Sequence, residues 1–79
     1  MIGKILKTMR KIKGLKQSDI SKITNIPQNT LSQYENEKIQ PTFEIIEKIA
    51  NICDYEIIFK NKIDNTILSS ENINRKEVE

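Results

Sequence analysis

Apolar residues recur every three to four positions at Ile2, Ile5, Leu6, Met9 and Ile12, with lysines between them, and predict an amphipathic first helix. Gly14 supplies its stop. A short second helix is predicted from Gln17 to about Thr24, burying Ile20 and Ile23, with Asp19 at its positively polarised start. Asn25 suits the left-handed turn that follows, and Ile26, apolar inside a polar turn, is expected to face the core. Pro27 suits a helix start because its missing N–H would go unpaired there anyway. The third helix, Gln28 to about Asn36, has only Leu31 and Tyr34 on its apolar face. Beyond Pro41, Thr42 is the expected N-cap of a fourth helix that buries Phe43, Ile46, Ile49, Ala50 and Cys53.

The pattern then changes. Tyr55-Glu56-Ile57-Ile58-Phe59-Lys60 is rich in β-branched and aromatic residues and predicts a strand, the only one in the chain. A lone strand leaves its edge open to a second copy, so Tyr55, Ile57, Ile58 and Phe59 are the expected dimerisation residues. Residues 61–79 are polar, with Ile63, Ile67, Leu68, Ile73 and Val78 scattered among them, and predict no regular structure. The chain therefore divides into a helical domain over 1–54, a dimerising strand over 55–60 and a polar tail over 61–79. The expected fold class is all-α: a small helical bundle with a C-terminal strand that pairs across a dimer.

Composition narrows the chemistry. At 79 residues there is room for one domain with a small core. One cysteine, Cys53, and no histidine exclude disulfide stapling and the usual zinc frameworks, and suit a reducing, cytoplasmic setting. Without histidine or a metal cluster, most hydrolytic and nucleophilic chemistry lacks its base, which argues against an enzyme and implies no metal or cofactor. No unbroken apolar stretch is long enough for a signal peptide or a membrane span. A membrane-surface role for the first helix fails because its apolar face is needed for the core. Charge is asymmetric: residues 1–40 carry eight basic and three acidic side chains, residues 41–79 five and eight. A basic front half points to a polyanion.

The polar face of the third helix specifies which kind. Gln28, Asn29, Thr30, Ser32 and Gln33 present amides and hydroxyls and no charge. An amide carries a donor and an acceptor on one rigid group and matches the N6 and N7 of adenine in the major groove. Lysines there would add affinity without discrimination, because attraction to phosphate is independent of sequence.

The run Gly14-Leu15-Lys16-Gln17, then Asn25-Ile26-Pro27-Gln28-Asn29-Thr30-Leu31-Ser32-Gln33-Tyr34-Glu35-Asn36, then Pro41-Thr42, resembles the lambda-repressor-like (XRE, or Cro/CI-type) helix-turn-helix family over about residues 3–54. The resemblance implies roles at the matching positions. Gln17 corresponds to a glutamine that clamps a backbone phosphate. Gln28, Asn29 and Gln33 correspond to base readers, with Thr30 and Ser32 beside them. Arg10 and Glu35 match a salt bridge tying the first helix to the third. Asn36 and Lys38 fall in a loop that touches the phosphate backbone. Lys16 stands where the family favours a Ser or Thr cap; it cannot cap but can meet phosphate. Lys7 and Lys11 add diffuse attraction. Asn25 and Glu37 stand where glycine is common, and Ser21 where alanine is usual.

The expected function is sequence-specific binding of double-stranded DNA as a transcriptional regulator, a repressor, acting as a homodimer on an inverted repeat. The overall layout also resembles antitoxins of the HipB type, which implies the alternative: an antitoxin that binds a protein toxin as well, with residues 61–79 and Ile67, Leu68 and Ile73 as the contact segment.

Overall fold

The computed structural model describes residues 1–70. Four helices, α1 (Ile2–Lys13), α2 (Gln17–Thr24), α3 (Gln28–Glu35) and α4 (Phe43–Ile52), are followed by two short strands, β1 (Phe59–Lys60) and β2 (Ile67–Leu68). The helix boundaries carry the expected chemistry. Gly14 closes α1 in the left-handed conformation (φ 81°) and Asn25 closes α2 in the same way (φ 62°). Thr42 caps α4, its Oγ1 accepting from the N–H of Ile45 at 3.3 Å. Pro27 takes the N-cap position of α3, so the turn between α2 and α3 is Asn25-Ile26-Pro27.

Leu6 and Met9 of α1, Ile20 of α2, Leu31 and Tyr34 of α3, and Ile49, Ala50 and Cys53 at the end of α4 form one buried cluster. Ile2, Leu15, Ile26, Ile46 and Ile57 pack around it. Enclosing a side chain such as Leu6 or Ile20 is worth about 1.5–3 kcal/mol each. Burial also pushes the Cys53 thiol up from its ordinary pKa, keeping it protonated and inert.

Four apolar residues expected in this core are outside it: Ile5, Ile12, Ile23 and Phe43 are exposed, Ile12 at 68% and Ile23 at 60%. Ile12 and Ile23 lie in the last turns of α1 and α2, where the helix has run past its neighbours. Phe43 opens α4 and faces the hairpin instead.

The strand expectation needs correction. The paired strand begins at Phe59 rather than Tyr55, and it is not alone: β1 pairs antiparallel with β2, Phe59 opposite Leu68 and Lys60 opposite Ile67. The connecting turn is held by Asn61, whose Oδ1 accepts from the N–H of Ile63 at 2.8 Å, and by Asn65 in the left-handed region (φ 65°). Ile67 and Leu68 thus belong to a hairpin, whereas Ile73 and Val78 lie outside the described residues. No helix among the described residues is long and apolar enough to cross a membrane.

Candidate nucleic-acid interface

The second and third helices are locked at a fixed angle by local side-chain bonds. Ser21 Oγ donates to the carbonyl of Ile26 at 2.6 Å, spanning the turn. Thr24 Oγ1 donates to the carbonyl of Ile20 at 2.8 Å and accepts from the N–H of Ile26 at 3.2 Å. At the start of α2 the Lys16 side chain makes no cap; instead Asp19 Oδ2 accepts from the N–H of Lys16 at 2.8 Å. Lys16 therefore keeps its exposed ammonium at the positive end of α2.

Successive residues of a helix are about 100° apart, so Gln28, Ser32, Asn29 and Gln33 fall on one arc and Thr30, Tyr34, Leu31 and Glu35 on the other. Burial follows this division: Leu31 and Tyr34 are enclosed, while Gln28, Asn29 and Gln33 are exposed. Among the described residues no group bonds to the amides of Gln28, Asn29 or Gln33. Ser32 Oγ accepts from Asn36 Nδ2 at 3.2 Å, which leaves its own O–H to donate elsewhere. Thr30 is half-buried at the edge of the arc, one turn before Gln33.

The base of α3 is fastened by an ion pair. Arg10 donates through Nε to Glu35 Oε2 at 2.7 Å and through Nη2 to Oε1 at 2.9 Å, and its Nη1 reaches the Leu15 carbonyl at 2.8 Å. Both side chains are about nine-tenths buried, at 11% and 8% exposure. Gln17 Nε2 completes the network, donating to Glu35 Oε1 at 3.1 Å. Desolvation would raise the pKa of Glu35, but the hydrogen bonds from Arg10 and Gln17, with the charges of Arg10 and Lys7, hold it below its ordinary value. The Glu35 hydrogen bond raises the pKa of Arg10 in turn, against its own desolvation. The network ties α1, α2 and α3 together at the end of the polar arc of α3, with Gln17 at its rim.

Two positions in this region carry weight that helical periodicity does not reveal. Gly3 is buried against the end of α3; a Cβ there would lie 2.2 Å from the carbonyl oxygen of Tyr34. Glu37, just past α3, adopts a left-handed backbone (φ 61°), and its carboxylate pairs with the ammonium of Met1. Asn36 and Lys38 flank it, both exposed. Ser21 is a third such case, a hydroxyl where only a small side chain was expected.

The helix-turn-helix family profile matches residues 6–59, which take in most of α1, all of α2, α3 and α4, and the first residue of β1. The chain belongs to the helix-turn-helix family, of XRE type. This is a family of DNA-binding transcription regulators. Among curated proteins, the chain is similar to Antitoxin PezA of Streptococcus pneumoniae serotype 4 (strain ATCC BAA-334 / TIGR4), at 34% identity over 70 residues. That match covers 85% of this chain and 44% of the relative, so the chain spans less than half the relative's length. No solved structure matches the chain.

Proposed function

We propose that the protein is a sequence-specific regulator of transcription that lays α3 in the major groove of double-stranded DNA and acts as a repressor. The observation that carries this reading is the solvent arc of α3, where Gln28, Asn29 and Gln33 present uncommitted amides beside the Ser32 hydroxyl. They project from a backbone fixed by the buried Leu31 and Tyr34 and by the Arg10–Glu35–Gln17 network. Groups held rigidly before contact lose little freedom on binding. Thr30, half-buried at the edge of the arc, is a secondary contact. Lys16, Gln17, Asn36 and Lys38 are the phosphate contacts that set the register. Gln17 has one Nε2 hydrogen on Glu35 and retains a second for phosphate. Repression follows because blocking a polymerase requires only occupancy.

The dimer in this proposal uses the segment that leads into the hairpin. β2 already covers one edge of β1, so a second copy would pair along the other edge and the stretch Tyr55–Ile58. Tyr55, Ile58 and Phe59 are exposed and available to it, whereas Ile57 packs on the helical core and supports the segment from behind. To meet half-sites one helical turn apart, the two copies of α3 in such a dimer must stand about 34 Å apart.

Selection of bound fragments from a random duplex library tests both parts. An enriched inverted repeat is expected; a single half-site would remove the dimer and keep the reader, and no enrichment would remove both. In a pure-sequence competition, Gln28→Ala and Gln33→Ala should each cost about 1–3 kcal/mol on the selected site and little on random DNA.

A second reading is favoured by the antitoxin relative and by the exposed face of the hairpin. A cavity of about 240 Å³ lies between α4 and the hairpin, lined by Phe43, Glu47, Ile57, Phe59 and Leu68. In this reading the same chain also holds a protein toxin, and that face is the contact. Co-purification with the product of a neighbouring reading frame, lost on Phe59→Ser, is the corresponding test.

A further inference from the structure

The phosphate contacts proposed above lie at the start of α2 and the end of α3, yet a larger basic feature adjoins them. Lys4, Lys7 and Lys11 are spaced by three and four residues and therefore form one stripe along α1. Their stripe is one wall of an open cavity of about 460 Å³, and Glu35, Asn36 and Glu37 form the other. No ion pair among the described residues engages any of the three lysines. The facing carboxylates do not cancel them. Glu35 is spent on Arg10 and Glu37 is engaged by Met1, so each facing carboxylate already has a cation of its own. The cavity is also continuous with the recognition region. Glu35 lines it while accepting from Gln17, and Asn36 lines it while bonding to Ser32 of α3.

We infer that this cavity is a phosphodiester-binding site, where the Lys4–Lys7–Lys11 stripe takes the DNA strand that runs on from Gln17 and Asn36 beyond the bases read by α3. The proposal rests on the reading of the protein as a duplex-DNA binder. Lys4 and Lys11 are about 10 Å apart along the helix, and phosphates of one strand recur about every 3.4 Å along the duplex axis. The stripe is therefore long enough to meet two or more successive phosphates flanking each half-site. It supplies affinity and register but no base discrimination, because all duplexes present the same backbone.

The test uses the full chain and a duplex with the selected site plus ten flanking base pairs on each side. Lys4→Gln/Lys11→Gln removes the two exposed lysines, Lys7→Gln the half-buried one, and Lys48→Gln on α4 is the control; unchanged helicity and melting confirm that each folds. Each neutralised phosphate contributes about 0.9 to the slope of log K against log salt, so the double variant should lose about 1.8 from that slope between about 50 and 200 mM. Cognate and random duplexes should weaken by the same factor. Ethylation of two or three phosphates outside the half-site should stop interfering with binding.

A double variant with the slope and ethylation pattern of Lys48→Gln, on a wild type that still prefers its site, overturns this site and leaves base reading intact. If Gln28→Ala and Gln33→Ala keep the wild-type preference while the double variant loses slope, base reading falls and the phosphate site stands. A wild type that binds no duplex overturns both. Competition by inorganic phosphate beyond that of chloride at equal ionic strength would make the cavity a pocket for a free anion, and would overturn its assignment to a strand.

Discussion

Leu6 and Leu68 are the same side chain in two settings. Leu6 is enclosed in the helical core at 1% exposure, whereas Leu68 stands at 53% on a hairpin whose ladder is two residues long. Phe59, opposite Leu68, is exposed to 64%. The helical part has closed most of its core with its own residues, and Gly14, Asn25 and Thr42 mark its helix ends. The hairpin keeps apolar surface that its own chain does not cover, and a two-stranded ribbon of this kind is marginal alone. One part is therefore finished as a folded unit and the other as a surface for contact. That division suits the proposed regulator, with a rigid reading head and a separate surface for its proposed contacts.

The sharpest way to break this contrast is to truncate both leucines. Leu6→Ala should cost about 2–5 kcal/mol in denaturant unfolding, as cavity-forming substitutions do. Leu68→Ala should change the stability of dilute, monomeric protein by less than about 0.5 kcal/mol, as an exposed substitution. Its effect should appear instead in retention of a protein partner on the face that Leu68 shares with Phe43 and Phe59, measured by co-purification. Similar losses at both sites would mean that the hairpin belongs to the core.

Next in size is the buried ion pair. Arg10→Ala leaves Glu35 buried without its partner and should cost about 3 kcal/mol. The pair also makes stability depend on pH. Glu35 ionises below its ordinary value of 4.5 when folded, so its contribution is complete above that pH and is lost as acid takes the folded group through its lowered pKa. Urea midpoints measured from neutral pH downward should therefore fall in acid. Glu35→Gln should flatten that fall while lowering the neutral midpoint. An unchanged acid limb in Glu35→Gln would place the titrating group elsewhere.

Gly3→Ala comes third. The added methyl must displace the carbonyl of Tyr34, which is backbone and cannot swing aside, so about 1–3 kcal/mol of overpacking is expected. Loss of stability with DNA affinity retained would separate folding from reading. Equal affinity and equal stability would show that α1 and α3 can move apart without consequence.

These positions also mark what was legible in the chain. The helices and the turn could be read because each carries its own local signal: the apolar spacing of Leu6, Met9, Leu31 and Tyr34, the stops at Gly14 and Asn25, and the starting cap at Thr42. The polar arc of α3 was legible as five polar residues, and geometry divides them into three free amides, a bridging Ser32 and a half-buried Thr30. Periodicity could not distinguish Ile20 from Ile23, because both fit the stripe and only the neighbouring helices decide which is covered. The contacts of Gly3 and Ser21 are set by residues far away or across a turn, so no local pattern announces them. The hairpin did have a signal, the Asn61-Lys62-Ile63-Asp64-Asn65 turn between two apolar runs. Its strands are too short to show alternation.

Glu37 offers the smallest and most discriminating test. Among the described residues, left-handed backbone occurs at Gly14, Asn25, Glu37, Asp54 and Asn65, and Glu37 alone is a residue type that gains nothing from that conformation. Relieving it with glycine recovers about 1 kcal/mol, but the unfolded chain gains freedom worth about 0.4–1 kcal/mol in the opposite direction. The exposed pair with Met1 adds about 0–1 kcal/mol that either substitution forfeits. Glu37→Gly should therefore leave stability almost unchanged. Asparagine tolerates the same backbone without glycine's entropy, so Glu37→Asn should be more stable than Glu37→Gly by about 0.5 kcal/mol. Both should bind duplex DNA more tightly, because each removes a carboxylate beside Asn36 and Lys38 and from the wall opposite the Lys4–Lys7–Lys11 stripe. If the wild type is the most stable of the three, the tether to Met1 outweighs the strained backbone. The loop after α3 would then be held by charge rather than by conformation.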